Sequence, residues 1–184
     1  MTEKARQSNS FIWIPLEKRE EALRLCLLAQ GIWFAHYSPL VGAAQIDHML
    51  RTLHGPQQVR GWMADPRSTV AAIAGCAAGP WVGYVRLRHG DPSEGSTLLS
   101  KFYLLPAARG RCLGRAILQQ VRREAKAAGS CRLWLTANRY NDLANQAYAA
   151  LGFRNAGPVD QSVGAGYEMN DFLWEMDLNA MEII

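Results

Sequence analysis

Seven consecutive residues, Arg109, Gly110, Arg111, Cys112, Leu113, Gly114 and Arg115, carry the strongest chemical signal in this chain, and Tyr148 is a second, separate one. The arginines bring full positive charge, and the two glycines let the backbone come close to a ligand. Just before them an apolar run, Phe102 to Leu105, stops at Pro106. Just after them Leu113, Ile117, Val121 and Ala125 recur every four residues, with Arg115, Gln119, Arg122, Arg123 and Lys126 on other faces and Gly129 as a stop. The pattern predicts strand, loop, helix. A helix entered this way presents unpaired N–H groups and a partial positive charge at its start, which suits a phosphate. The loop is therefore expected to hold a pyrophosphate. On these residues alone, a glycine-containing turn beneath a surface helix with a solvated arginine face stays open.

RGRCLGR is neither a Walker loop, since no Lys-Ser or Lys-Thr follows the last glycine, nor GxGxxG, whose spacing differs. It resembles the pyrophosphate loop of the GNAT acyltransferase superfamily, in which Gln or Arg is followed by two residues, Gly, one residue, then Gly or Ala. Arg109 and Gly114 match the ends of that pattern, and Cys112 stands where the family usually has glycine. A second block, NRYNDLANQAYAALGF at Asn138 to Phe153, resembles the segment after the family's fifth strand, through Asn141, Ala144, Tyr148, Gly152 and Phe153. The ending GYEMNDFLWEMDL more loosely resembles the polyamine-acetyltransferase-like branch.

The resemblance implies a fold of the α/β (α+β) class, with a mixed, mainly antiparallel central sheet of six to seven strands flanked by helices. It implies one acetyltransferase domain over residues 11–184. It also implies transfer of an acetyl group from acetyl-CoA to a primary amine of a small molecule, polyamine-like among others, or of a protein. A non-catalytic coenzyme-A-binding regulatory module is the alternative. Carried over by position, Phe102, Tyr103 and Leu104 would pair with the pantetheine arm as an added strand. The N–H groups from Gly110 through Arg111, Cys112, Leu113 and Gly114 to Arg115 would take the pyrophosphate, with Arg109 at its edge. Asn141 and Ala144 would lie beside the cofactor arm, and Tyr148 near the sulfur.

A role for Tyr148 makes independent chemical sense. Coenzyme A leaves as a thiolate, and a phenol with a pKa near ~10 is still a proton donor at neutral pH. A backbone N–H on the fourth strand can polarise the thioester carbonyl. A tyrosine packed in the core is the competing reading. The base is not legible: an ammonium with a pKa near ~10.4 leaves only about one amine in a thousand ready to attack at neutral pH, and the strand TLLSKFYLL has no glutamate. Glu94, Glu168, His36 and His89 are the substitutes considered. Cys112, a thiol among arginines at a helix start, is expected either to react readily or to be an inert small residue.

At 184 residues and 49% hydrophobic content the chain is long enough to bury a core, and six Trp and six Tyr argue against disorder. The polar start MTEKARQSNS predicts a disordered residue 1–10 segment without a signal core, hence a cytoplasmic protein. No stretch is apolar enough to suggest a membrane span. Four dispersed cysteines and four dispersed histidines indicate neither disulfides nor a metal site. The formal charge of +4 fits an anionic cofactor, with no nucleic-acid-binding motif beside it. A homodimer is compatible with the aromatic final strand.

Along the chain, Phe11 to Leu16 reads as a strand and Glu17 to Gln30 as a helix closed by Gly31. Further helices are expected after Pro39 and at Gln57 to Met63. Trp33, Phe34, His36 and Tyr37 are candidates to line an acceptor pocket, or else core. Ser68 to Ala74, Pro80 to Arg88, Thr97 to Leu105, Cys131 to Ala137 and Tyr167 to Leu178 read as strands, Leu143 to Leu151 as a helix, and Asn155 to Gly166 as a loop.

Overall fold

The computed structural model describes residues 11–76, 78–110 and 112–180. The expectations for residues 1–10 and for Arg111 lie outside the described residues. A short strand β1 (Ile12–Pro15) leads into three helices, α1 (Arg19–Tyr37), α2 (Ala43–Leu53) and α3 (Pro56–Ala64). An antiparallel run of β2 (Ser68–Ala74), β3 (Trp81–His89) and β4 (Ser96–Leu104) follows. A 3₁₀ turn at Pro106–Ala108 then delivers the chain to α4 (Leu113–Ala127). The remaining elements are β5 (Arg132–Asn138), α5 (Asp142–Ala150), β6 (Arg154–Gly164) and β7 (Tyr167–Asp177). The seven strands lie in the order β1-β2-β3-β4-β5-β7-β6, and only β4 and β5 run parallel. This is the mixed α/β architecture that the resemblance implied.

Each face of the sheet is covered by helices whose apolar residues recur at helical spacing. On one face Leu25, Ile32 and Trp33 of α1, Ile46 of α2 and Val59 of α3 pack on Val70, Ala72 and Tyr84. On the other, Ile117, Leu118, Val121 and Ala125 of α4 pack on Val85, Leu87, Leu99, Leu133 and Leu135. Each such aliphatic side chain, once fully buried, is worth ~1.5–3 kcal/mol.

Two elements differ from expectation. Gly31 does not close α1, which continues for a further turn and a half because Ile32, Trp33 and Tyr37 are all buried on its inner face. Their burial outweighs the about 1 kcal/mol propensity penalty of one exposed glycine. Pro39, which has no N–H, cannot extend the ladder, and the Ser38 hydroxyl donates to the Phe34 carbonyl at 2.6 Å. The stretch from Asn155 is not a loop either, but most of an eleven-residue edge strand, β6, paired along β7. An edge strand needs backbone partners on one side only, so it can be polar, carry Pro158 and kink at Gly157 and Gly164 where its register shifts.

The feature that positions the site is the way β4 and β5 part. They pair only at Ser96↔Arg132, Thr97↔Leu133 and Leu98↔Trp134. Beyond this β4 stays with β3 and β5 stays with β7 as far as Asn138↔Asp171, so the sheet opens between them. A bulge sharpens the parting: Arg86 opposes Lys101 and Leu87 opposes Leu99, which leaves Ser100 without a register partner on β3.

Two glycine-sensitive positions give testable consequences. A Cβ on Gly83 would sit 2.4 Å from the Tyr103 carbonyl oxygen and 2.5 Å from Leu104 Cδ2, so Gly83→Ala must push β4 off β3. We expect a loss of about 2–3 kcal/mol in urea unfolding. Cys112, the N-cap of α4, has φ 57 in the left-handed region. This conformation suits the glycine that the family pattern carries there, and Cys112→Gly should raise stability by about 1 kcal/mol, read by the same unfolding assay.

Candidate active site

The gap between β4 and β5 is a cleft of about 290 Å³. Of the residues singled out from sequence, Phe102, Tyr103 and Leu104 line it from β4, and Arg109, Gly110 and Gly114 from the loop and the start of α4. Asn141, Ala144 and Tyr148 line it from α5. Cys112, Leu113 and Arg115 do not: Cys112 and Arg115 are exposed, and Leu113 packs toward the α4 core. Added Cβ atoms on Gly110 and Gly114 would meet nothing closer than Phe102 Cζ at 4.0 Å, so both backbones face open space.

Arg109 is turned inward. Its Nε and Nη2 donate to the Leu104 carbonyl at 3.1 and 3.0 Å, and Nη1 lies 3.2 Å from His36 Nδ1. The guanidinium thus ties the end of β4 to the loop instead of projecting into solvent. His36 Nε2 lies 2.9 Å from Asn141 Nδ2, so the imidazole bridges the loop and α5. Burial, then the Arg109 charge, hold its pKa below the usual value and keep it neutral.

Asn141 caps α5, its side-chain oxygen accepting from the Ala144 N–H at 3.3 Å. Asn145 fixes the same helix to the sheet. Its Nδ2 donates to the Asn138 carbonyl at 3.0 Å, and its Oδ1 accepts from Trp174 Nε1 at 3.1 Å. Tyr148, one turn further on, packs its ring against Phe153 and Trp174 with centroids 5.6 and 6.3 Å away. It is therefore both a packed ring and a wall of the cleft. Burial, followed by Tyr37, pushes the Tyr148 phenol well above its ordinary pKa, so it holds its proton more firmly than the unperturbed group expected from sequence.

Across the opening from α5 stands an aromatic wall. Tyr37 meets Tyr103 edge-on with ring centroids 6.3 Å apart, and burial pushes its pKa up to about 12. Trp33 stacks on Tyr37 at 4.6 Å and lies 5.6 Å from Tyr103. Of the four candidate acceptor-pocket residues, His36 and Tyr37 line the cleft, Trp33 is core behind them, and Phe34 points outward. The candidate bases fare unevenly. Glu94 and Glu168 are exposed, and His89 is held between the Thr69 and Thr97 hydroxyls at 3.0 Å each, below the point where the strands part.

Sequence reasoning missed Ser100, Thr136 and Asn138, which also line the cleft. It also missed Asp171, the one acidic side chain that is buried among the described residues. Asp171 stands in phase with Leu173, Glu175 and Asp177 on β7, a face that reads as solvated until Met169 on it is seen to pack into the core under the first three helices and Gln45 of α2 to donate to the Glu168 carbonyl. Among the described residues no group of three His, Cys, Asp or Glu is placed to hold a metal, and no helix is long and apolar enough to cross a membrane.

The sequence profile of the acetyltransferase (GNAT) family matches residues 33–153. N-acetyltransferases described as uncharacterized, from Mycobacterium bovis and Mycobacterium tuberculosis, are 33% identical over 117 residues, which is 64% of this chain and 72% of theirs. The fold is shared with the PaiA N-acetyltransferase of Thermoplasma acidophilum, solved in complex with coenzyme A. That match has a TM-score of 0.74 and 17% identity, and covers 91% of this chain and 99% of that one. A GCN5-related N-acetyltransferase of Rhodopseudomonas palustris aligns with a TM-score of 0.73 and 14% identity over 90% and 94% of the two chains. With two thirds of its length matched and a cleft opening where β4 and β5 part, this chain belongs to the GNAT family of acetyl-CoA-dependent acetyltransferases.

Proposed function

We propose that this protein moves the acetyl group of acetyl-CoA to a primary amine, carried by a small molecule of the polyamine type or by a protein. The observation that supports this reading most is the inner edge of β4 from Leu99 to Tyr103, which faces the cleft without a strand beside it and ends where Arg109 takes the Leu104 carbonyl. Backbone N–H and C=O groups left open inside a sheet suit an extended, amide-bearing chain added as a strand, which is what a pantetheine arm offers. Phe102, Tyr103 and Leu104 would hold that arm. The amides of Gly110 to Arg115 at the start of α4 would take the pyrophosphate, backed by the helix dipole. Arg109 contributes by clamping Leu104, not by direct contact, and Asn141 and Ala144 close the cleft from α5.

At the reacting end, Tyr148 keeps its phenolic proton at neutral pH and would give it to the departing sulfur. Tyr37 and Tyr103, protonated and facing the same opening, exclude water. Four free cysteines suit a reducing compartment, and we place the protein in the cytoplasm.

A panel of primary amines incubated with acetyl-CoA, followed by thiol release, tests the activity. At least one amine should release coenzyme A with saturation. If coenzyme A binds and no amine is acetylated, the chain is a binding module instead. In the same assay Tyr148→Phe should lower kcat by about 100-fold or more while the dissociation constant for coenzyme A stays within about twofold. An unchanged kcat would remove Tyr148 from the chemistry.

A further inference from the structure

Beyond the donor side of the cleft lies a buried ionic cluster that the acetyl-transfer reading does not use. Asp171 is 4% exposed, and its Oδ1 has no hydrogen-bond partner. The Arg139 Nε is likewise buried and unpartnered, although Arg139 and Asp171 act on each other electrostatically. The Arg139 Nη2 is ion-paired with Asp160, so the open position is the unpartnered Asp171 oxygen, and a buried acceptor without a partner calls for a ligand donor.

This carboxylate is next to the cleft wall. Asp171 is the register partner of Asn138, so the two share one face of the sheet, and Thr136, the next residue of β5 on that face, acts on the carboxylate and helps to lower its pKa. Asn138 and Thr136 are both cleft walls. Tyr37, a wall from α1, is within electrostatic reach of the same carboxylate and of Tyr148. Asp171 therefore stands behind the acceptor side of the opening, opposite the face on which α5 presents Tyr148.

We propose that the Asp171 carboxylate receives the ammonium group of the acceptor and takes its proton. The proposal rests on the acetyl-transfer reading and supplies the base that β4 lacks. R–NH₃⁺ gives one proton to the Asp171 carboxylate, and the freed nitrogen lone pair forms a C–N bond to the thioester carbonyl carbon. The C–S bond then breaks, and the sulfur takes the Tyr148 proton. The second proton lost by nitrogen returns to the Tyr148 oxygen, and Asp171 releases its proton to solvent.

The groups that face Asp171 come from four elements and their connections: Tyr37 on α1, Lys101 on β4, Thr136 on β5, Arg139 in the β5–α5 turn and Asp160 on β6. Burial raises the Asp171 pKa, and Thr136, Arg139 and Lys101 pull it back. A carboxyl raised in this way is a better proton acceptor than a solvated one. Lys101 is the rival. Burial beside Arg86 brings its pKa down to about 8, and its ammonium lies 5.9 Å from the Trp62 ring.

The test uses the full chain with acetyl-CoA and two probe amines, propylamine and 1,4-diaminobutane, with hydroxylamine as an acceptor that is already neutral at pH 7. Asp171→Asn should lower kcat/KM for the two amines by about 100-fold or more, and the loss should shrink at least about tenfold with hydroxylamine. Its acid limb should move up to the pKa of the amine itself, near ~10. Asp171→Glu should restore about a tenth or more of the lost rate, since it returns the carboxylate. Coenzyme A affinity, read by calorimetry, should stay within about twofold, which a collapse of the fold would not allow. Three results overturn the proposal alone: Asp171→Asn within about threefold of wild type, an equal loss with hydroxylamine, or a larger loss in Lys101→Met than in Asp171→Asn. Failure of the wild-type protein to acetylate any of the three, while it still binds coenzyme A, overturns the acetyl-transfer reading itself.

Discussion

The short parallel pairing between β4 and β5 is the constraint on which the rest of this structure depends. Three residue pairs hold the strands together, and each strand then follows its other neighbour, β3 on one side and β7 on the other. A sheet cannot leave backbone groups unpaired in its interior without a means of satisfying them. Here the open edge of β4 is lined with side chains of both cores and faces a cleft, where the proposed cofactor arm would satisfy it. The Ser100 bulge adds twist at that point and turns Lys101 and Tyr103 toward the acceptor face, with Phe102 and Leu104 toward α4.

Around that opening the structure separates two kinds of electrostatic work. On the side proposed for acetyl-CoA, the Arg109 guanidinium is committed to the Leu104 carbonyl and the His36 ring, so the backbone N–H groups at the start of α4 would receive the pyrophosphate. Arg109 therefore sets the position of the strand that the cofactor arm would follow. On the other side, Trp33, Tyr37 and Tyr103 pack together, with the buried Asp171 carboxylate within electrostatic reach of Tyr37 and of the half-buried Lys101. Low dielectric there keeps Tyr37 and Tyr148 protonated and makes the charge of Asp171 matter more than it would in water. Asn145 and the Asn141 cap hold α5 rigidly between the two regions, so Tyr148 is positioned by the sheet itself.

Much of the donor side was legible in the sequence. Its elements are local, with strand, anion loop and helix consecutive, and Asn141, Ala144 and Tyr148 at helical spacing on α5. The acceptor side was not. Asp171 is buried on the face of β7 whose Met169 packs into the core under the first three helices, far away in the chain, and no periodicity within DFLWEMD carries that information. The bulge at Ser100 depends on the register of β3 against β4, which composition does not encode. Gly31 and β6 were misread for a related reason. In both, tertiary contact overrides local preference: the burial of Trp33 and Tyr37 keeps α1 going, and pairing with β7 makes a strand of a polar, glycine-containing stretch. Cys112, a departure from the family pattern, occupies the left-handed backbone conformation that explains why glycine is usual there.

The central claim is that the open edge of β4 and the start of α4 form one continuous binding surface for coenzyme A. Amide hydrogen exchange with and without the ligand, resolved to single residues by NMR, measures this directly. Strong protection of the amides facing the cleft within Phe102 to Leu104, together with those from Cys112 to Arg115, is the result predicted. Saturable binding with no change at these amides, or with protection confined to another face of the sheet, would contradict it.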